Sequence, residues 1–232
     1  MKKLIVANWK LNPTTLKDAQ ALAMSIEQTK KNTVVICPPT IYLSSIKYPI
    51  LGAQDCFWAD KGTYTGQTSP AQLKDLGVKY CLVGHSERRE VGDTDAMVNA
   101  KVKALLVLKI IPVLCVGFVT TVEQDDLEVT DVLKAQLMVD LAGVDPSKII
   151  VAYEPVWAIS KGNPYATKAA DADHAEKMAI FIKTRFKVEK VIYGASVNIN
   201  NAKGFLEQRN IDGLLPGGVS LIPAHFNQII NF

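Results

Sequence analysis

Cysteine and histidine are scarce in this sequence and are not spaced for metal binding. The 232 residues contain three histidines and four cysteines, which are Cys37, Cys56, Cys81 and Cys115. The cysteines lie far apart without a CxxC pair, and no histidines cluster at metal-ligand spacing. The composition therefore predicts reduced cysteines, a cytoplasmic protein and no bound metal.

Long apolar runs and blocks of like charge are absent as well. The longest apolar stretch, residues 104–118, contains Lys109 and Pro112 and is shorter than the ~20 residues of a membrane helix. The apolar run within residues 1–8 is too short for a signal peptide. The net charge is only +3 and the sequence has no long basic run, so we expect no nucleic-acid or membrane partner.

Common cofactor and nucleophile motifs are missing too. The chain has no GxGxxG, P-loop, HExxH or GxSxG sequence, and we expect no cofactor. Ser86 lacks the context of a nucleophile and is better interpreted as a helix cap. His174 and His225 fall in predicted helices, where we expect structural or solvent-facing roles.

What the sequence does contain is a regular alternation of short apolar segments and longer amphipathic stretches. The apolar segments are continuous, which is typical of parallel strands buried on both faces. Eight strands are predicted at residues 4–9, 33–37, 50–53, 80–83, 110–116, 149–154, 190–193 and 211–215. Helices are predicted at 15–30, 95–108, 123–141, 169–186 and 202–208. Since no linker interrupts the pattern, it predicts one α/β domain over residues 1–232, an eight-stranded barrel in preference to an open sheet.

Glu154 stands at the C-terminal end of the sixth predicted strand. Pro155 follows it directly and favours an extended conformation for Glu154. Residues 160–164 then have the composition of a mobile loop. A carboxylate that caps the strand or pairs with Lys10 or Arg88 is the structural alternative. We favour a general base beside a lid.

Polar residues also follow the first and fourth strands. Asn8 and Lys10 are two residues apart, so both could face one anion at the barrel mouth. His85 precedes a predicted short helix whose N-cap would be Ser86. A neutral imidazole there could donate to a carbonyl oxygen and shuttle a proton. Taken alone, an exposed lysine or a backbone-bonded histidine would be the commoner interpretation.

The last two strands are followed by residues suited to phosphate. Ser196 follows the seventh strand, and Gly217 and Gly218 follow the eighth, before a short apolar helical segment. Glycines let the backbone approach a ligand, and helix N-termini favour phosphate. A Gly-Gly pair is more often only a turn, but phosphate binding after strands seven and eight recurs in barrels.

Several of these segments resemble one enzyme family. Asn-Trp-Lys-Leu-Asn at 8–12, Gly-His-Ser-Glu-Arg-Arg at 84–89 and Ala-Tyr-Glu-Pro-Val-Trp-Ala-Ile at 152–159 resemble triosephosphate isomerase motifs, in order, and Gly217-Gly218 extends the match to Leu221. The resemblance implies a single-domain (β/α)8 TIM barrel. It also implies interconversion of dihydroxyacetone phosphate and glyceraldehyde 3-phosphate by proton transfer, an aldose–ketose isomerisation of glycolysis and gluconeogenesis.

The resemblance also assigns residue roles. It implies Glu154 as the base, His85 as the electrophile, Lys10 and Asn8 as charge-stabilising partners and Glu87 as a supporting carboxylate. This assignment of a glutamate base and a neutral histidine comes from the family itself. Phosphate binding is implied for four residues, Gly162, Ser196, Gly217 and Gly218, and covering of the base for two more, Ile159 and Leu215.

A homodimer is implied as well, through the loop after strand three, where Thr65 would be the residue at its tip that reaches the partner. The chain departs from the family pattern in the lid, residues 160–165, and at four single positions, Phe118, Gln67, Ala195 and Pro216. Phe118 stands where relatives carry a glutamate that touches the lid tryptophan, so we expect Trp157 to lose a polar partner. None of the proton-transfer positions is changed.

Two alternatives were weighed against this interpretation. Phosphoribosyl isomerases also bind phosphate after strands seven and eight, but their paired aspartates on strands one and five are not found here. The other is a non-catalytic barrel that binds sugar phosphates. The intact set of Asn8, Lys10, His85 and Glu154 argues against it.

Overall fold

Eight parallel strands form one sheet in the computed structural model, which describes residues 2–159 and 170–232. They are β1 Leu4–Asn8, β2 Thr33–Cys37, β3 Gly52–Ala53, β4 Tyr80–Val83, β5 Ile111–Val116, β6 Ile150–Tyr153, β7 Lys190–Tyr193 and β8 Gly213–Leu214. All eight predicted strands are present. The order β2-β1-β8-β7-β6-β5-β4-β3 leaves only β2 and β3 to be joined.

Residues at these two edges nearly close the sheet into a barrel. Ile36 forms a parallel bridge with Leu51, and the Ile36 N–H donates to the Ile50 carbonyl at 3.2 Å. The registers pair Asn8 with Cys37 and Tyr153 with Tyr193, so the strands end at a common rim. The architecture is therefore the predicted (β/α)8 barrel, and side chains that follow the strands converge at its mouth.

Helices connect the strands on the outside of the barrel. They are α1 Leu16–Ser25, α2 Pro70–Asp75, α3 Ser86–Glu90, α4 Asp95–Val107, α5 Asp126–Asp140, α6 Ala172–Phe186, α7 Ala202–Glu207 and α8 Pro223–Ile230. Helix α1 ends five residues before the predicted 15–30, because Ile26 takes an extended conformation and buries its side chain. Helix α2 was not predicted, although Ser69 and Gln72 form a capping box at its N-terminus.

Apolar side chains fill both sides of the sheet. One cluster lies inside the barrel and contains Val6, Val35, Leu82, Val113 and Ile192, while a larger one lies between strands and helices. The two clusters follow the alternation of side chains along each strand. All four cysteines are free and buried. Within the described residues, no helix has both the length and the apolar character needed to cross a membrane.

Candidate active site

A cavity opens at the C-terminal ends of the strands, where the sequence predicts the site. Its wall includes Asn8, Lys10, His85, Ile159, Ser196, Leu215, Gly217 and Gly218. These residues lie at or after the C-terminal ends of five strands, β1, β4, β6, β7 and β8. The barrel therefore gathers side chains that are far apart in sequence around one space.

Glu154 lies at the base of this mouth and is 1% exposed. Its backbone N–H donates to the Val116 carbonyl at 2.8 Å, which continues the β5–β6 pairing past the end of β6. Its Oε2 accepts from the Ser86 N–H at 3.4 Å, and its Oε1 lies 3.5 Å from His85 Nε2. Such long contacts leave the carboxylate weakly bonded, as a base that must take up a proton requires.

His85 caps helix α3 with its own ring. Its Nδ1 accepts from the Glu87 N–H at 3.2 Å, so in the neutral ring the hydrogen is on Nε2, the atom nearest Glu154. The prediction that Ser86 is the N-cap is wrong. Ser86 is the first helical residue, and its N–H points to Glu154 because the imidazole already occupies the capping position.

Lys10 is held above the cavity in an uncommon backbone conformation. Its φ is 54°, a left-handed value that few residues other than glycine adopt. Asn8 Oδ1 accepts from the Lys10 N–H at 3.0 Å, and Gln54 Nε2 donates to the Lys10 carbonyl at 2.8 Å. The Lys10 ammonium lies 2.7 Å from Glu87 Oε1. Lys10 is thus fixed both through its backbone and through its ammonium group.

Ser196 contacts the segment that follows Glu154. Its N–H and hydroxyl both donate to the Ala158 carbonyl, at 3.1 and 2.5 Å. Ala158 belongs to a single 3₁₀ turn, Val156–Ala158, that starts directly after Pro155. Ser196 therefore ties the loop after β7 to the residues just after Glu154.

Two glycines are closely approached by the side chains of Glu154 and Lys10. A Cβ on Gly194 would lie 2.7 Å from Glu154 Cγ, and one on Gly217 would lie 3.2 Å from Lys10 Cε. Gly217 was predicted from its place after strand eight, but Gly194 was not. The only signal for Gly194 in the sequence was a glycine directly after a buried strand. Gln54 was missed as well, since nothing marks a glutamine as the tether of a distant lysine.

Some predicted residues lie elsewhere. Gly162 and the lid departures at 160–165 fall outside the described residues. Thr65 is exposed and does not line the cavity. The Trp157 indole nitrogen is buried without a hydrogen-bond partner among the described residues. His174 is half-buried and bonded to two side chains, as a structural histidine would be.

Buried ion pairs support the site from behind. Arg89 Nε donates to the carbonyl of Gly84, directly before His85, at 2.8 Å, and Arg89 Nη2 lies 2.7 Å from Asp140 Oδ2. Burial raises the pKa of Asp140 to about 7, although Arg89 opposes the shift. Burial, followed by the nearby Glu154 carboxylate, also raises the pKa of the Cys115 thiol. Among the residues described, no group of three or more His, Cys, Asp and Glu could hold a metal ion.

Comparison with known proteins yields one family. A family model described as triosephosphate isomerase matches residues 3–232. The chain is 37% identical over 252 residues to the triosephosphate isomerase of Alkaliphilus metalliredigens, with 100% of this chain and 99% of the relative covered. It is 38% identical over 250 residues to that of Dehalococcoides mccartyi (99% and 96% covered), and 38% over 246 residues to that of Gloeothece citriformis (100% of both).

Proposed function

The chain belongs to the triosephosphate isomerase family, and on that premise we propose that it interconverts dihydroxyacetone phosphate and D-glyceraldehyde 3-phosphate. The observation that carries this proposal is the contact of Glu154 with His85 across 3.5 Å: His85 and Lys10 line the cavity, and Glu154 is buried directly behind Gly194, which is part of the wall. A carboxylate, an imidazole N–H and an ammonium are the groups that proton abstraction beside a carbonyl requires.

Glu154 acts as the base in this proposal. Its carboxylate removes a proton from the substrate carbon next to the carbonyl, and the electron pair of that C–H bond moves to the carbonyl oxygen. The product of this step is an enediolate. Glu154, now protonated, returns the proton to the neighbouring carbon, so that ketose becomes aldose without net gain or loss of atoms.

His85 and Lys10 stabilise the charge that forms on oxygen. The Nε2–H of His85 donates to the carbonyl oxygen, and because this hydrogen can pass between the two enediolate oxygens, His85 also moves the proton that the isomerisation requires. The Lys10 ammonium stabilises the developing negative charge electrostatically. Asn8 holds the backbone of Lys10 by accepting from its N–H at 3.0 Å, and Glu87 holds the ammonium itself at 2.7 Å.

The substrate phosphate is assigned to the far side of the cavity. Gly217 and Gly218 offer backbone without side chains at the start of a single helical turn, Gly218–Leu221. Both Ser196 donors are directed to Ala158, so Ser196 would bind phosphate only by giving up these bonds. Gly162 is retained as a proposed phosphate ligand from the sequence. Ile159 and Leu215 line the wall and would exclude water from the base.

The test is turnover of glyceraldehyde 3-phosphate, coupled to reduction of the dihydroxyacetone phosphate that forms. We expect the parent to be active and Glu154→Gln to lose at least a factor of about 10²–10⁴ in kcat. Glu90→Gln, which changes an exposed carboxylate on α3, is the matched control and should behave as the parent. An inactive parent that binds a phosphate-bearing enediolate mimic would instead indicate a non-catalytic sugar-phosphate-binding barrel.

We further propose a homodimer formed through the Thr65 loop. Residues 61–67 are all exposed, and the Tyr64 ring packs at a tilt against Phe57, with ring centroids 4.5 Å apart, which anchors the loop to the residues before it. Leu11, on the loop after β1, is 90% exposed and would be covered by a partner. Sedimentation velocity should give twice the chain mass for the parent and a lighter species for Thr65→Arg.

A cytoplasmic location is proposed from the four unpaired cysteines.

A further inference from the structure

His174 joins the N-terminal turns of two helices to the strand that carries the base. It lies in the first turn of α6, and its Nδ1 is 2.9 Å from Oδ1 of Asp126, the first residue of α5. Its Nε2 is 2.9 Å from the hydroxyl of Tyr153, the last residue of β6. The proposed mechanism uses none of these three side chains.

The direction of each hydrogen bond follows from the chemistry of the partners. Hydrogen bonds from Lys177 and then His174 lower the pKa of Asp126, so this carboxylate is an acceptor and Nδ1 carries the hydrogen. Burial raises the pKa of Tyr153, which stays a phenol. In the neutral ring, Nε2 therefore accepts from the Tyr153 hydroxyl. The chain runs in one direction, from Tyr153 through His174 to Asp126.

The same imidazole also contacts a residue that follows Glu154 in the sequence. The Trp157 ring meets His174 edge-on, with centroids 6.1 Å apart. Tyr153 directly precedes Glu154, and Trp157 follows it by three residues. The ring thus contacts both flanks of the segment that carries the carboxylate.

Tyr153 is placed to transmit this restraint. Its carbonyl accepts from the Gly194 N–H at 2.9 Å, and Gly194 is the residue against which the Glu154 side chain packs. A rotation of Tyr153 would therefore move both the backbone of Glu154 and the surface on which its side chain rests.

We propose that His174 is a positioning residue for Glu154, acting through Tyr153 and Trp157. This proposal rests on the proposed function, since it assigns Glu154 as the base. It predicts an effect on kcat rather than on substrate binding, because His174 lies outside the barrel wall and does not line the cavity. A base displaced by a fraction of an ångström loses rate steeply.

The kinetic test compares three substitutions at position 174 with one elsewhere. His174→Leu should lower kcat about tenfold with KM within about twofold of the parent. His174→Gln should recover most of this loss, because its Oε1 can accept from the Tyr153 hydroxyl, whereas His174→Asn, whose amide is shorter, should not. His225→Leu, on α8, is the matched histidine control and should keep the parent kcat.

A spectroscopic test addresses the hydrogen bonds independently of turnover. With three histidines in the chain, long-range ¹H–¹⁵N spectra can assign each ring. His174 should show the hydrogen on Nδ1 and His85 should show it on Nε2, and Tyr153→Phe should shift only the His174 Nε2 signal strongly.

The two proposals can fail separately. If the parent turns over and folded His174→Leu keeps its kcat, or if His174 carries its hydrogen on Nε2, the positioning role is overturned and the proposed function stands. If the parent does not turn over, the proposed function is overturned. The ring spectrum then still decides whether the bonds from Tyr153 to Asp126 exist.

Discussion

Substitution of Gly194 by alanine tests whether the position of the base sets the rate. The added Cβ would lie 2.7 Å from Glu154 Cγ and 3.2 Å from its Oε1, about 0.7 Å short of the 3.4 Å at which ordinary contacts begin. Leu215 Cδ2, at 3.4 Å, leaves the new methyl little room to turn away. The backbone of Gly194 is not left-handed, so alanine adds crowding without backbone strain.

The expected loss follows from that overlap. Because Glu154 is 1% exposed and its Oε1 lies 3.5 Å from His85 Nε2, its side chain has little room to move away from the new methyl group. A displacement of roughly 0.7 Å should lower kcat by about 10–10²-fold. Overpacking should also lower the free energy of unfolding by about 1–3 kcal/mol. Both are measured on one preparation, by the coupled assay and by urea unfolding.

A second glycine supplies the control for this experiment. Gly204 lies inside α7, and a Cβ there would meet nothing within 4 Å. Gly204→Ala should therefore raise the free energy of unfolding by about 0.5–1 kcal/mol and leave kcat unchanged. If Gly194→Ala retained the kcat of the parent, the contact between Gly194 and Glu154 would not control the base, and the reasoning would fail.

Two further predictions concern residues that support the site. Gln54→Leu removes the amide that donates to the carbonyls of Lys10 and Cys37. We expect the free energy of unfolding to fall by about 1–3 kcal/mol and KM to rise. An unchanged KM would show that Lys10 needs no tether. The pKa of Asp140 is raised to about 7 in the folded protein, whereas an aspartate in the unfolded chain releases its proton near pH 4. Between these values the folded state binds the extra proton, so the contribution of Asp140 to stability falls as the pH rises from about 4 to 7. Urea unfolding of Asp140→Asn should lack this fall, and parallel pH profiles of variant and parent would contradict it.

The fold was largely predictable because its strands are continuous apolar segments. The boundaries predicted for the second, fourth and seventh strands agree with β2, β4 and β7. Helix ends were harder, because they depend on tertiary burial. Ile26 would fit the apolar pattern of α1, yet it ends the helix because its side chain has a place in the core.

Site residues were predictable where a reactive side chain follows a strand. Glu154, His85 and Lys10 were proposed from such positions; His85 and Lys10 line one cavity, and Glu154 lies 3.5 Å from His85. Gly194 and Gln54 could not be found in this way. Their contributions are a missing side chain and an amide bonded to a distant backbone carbonyl, and both exist only once the loops meet.

The wrong prediction for the cap of α3 concerns the orientation of His85, on which its proposed role depends. Serine is a better N-cap than histidine, so a sequence optimised for the helix alone would cap with Ser86. The structure instead uses the imidazole, whose Nδ1 accepts from Glu87 N–H. That bond commits the hydrogen to Nε2, 3.5 Å from Glu154. A weaker cap thus orients the imidazole as the proposed mechanism needs, and a failure of local sequence rules at this position is what a functional site would produce.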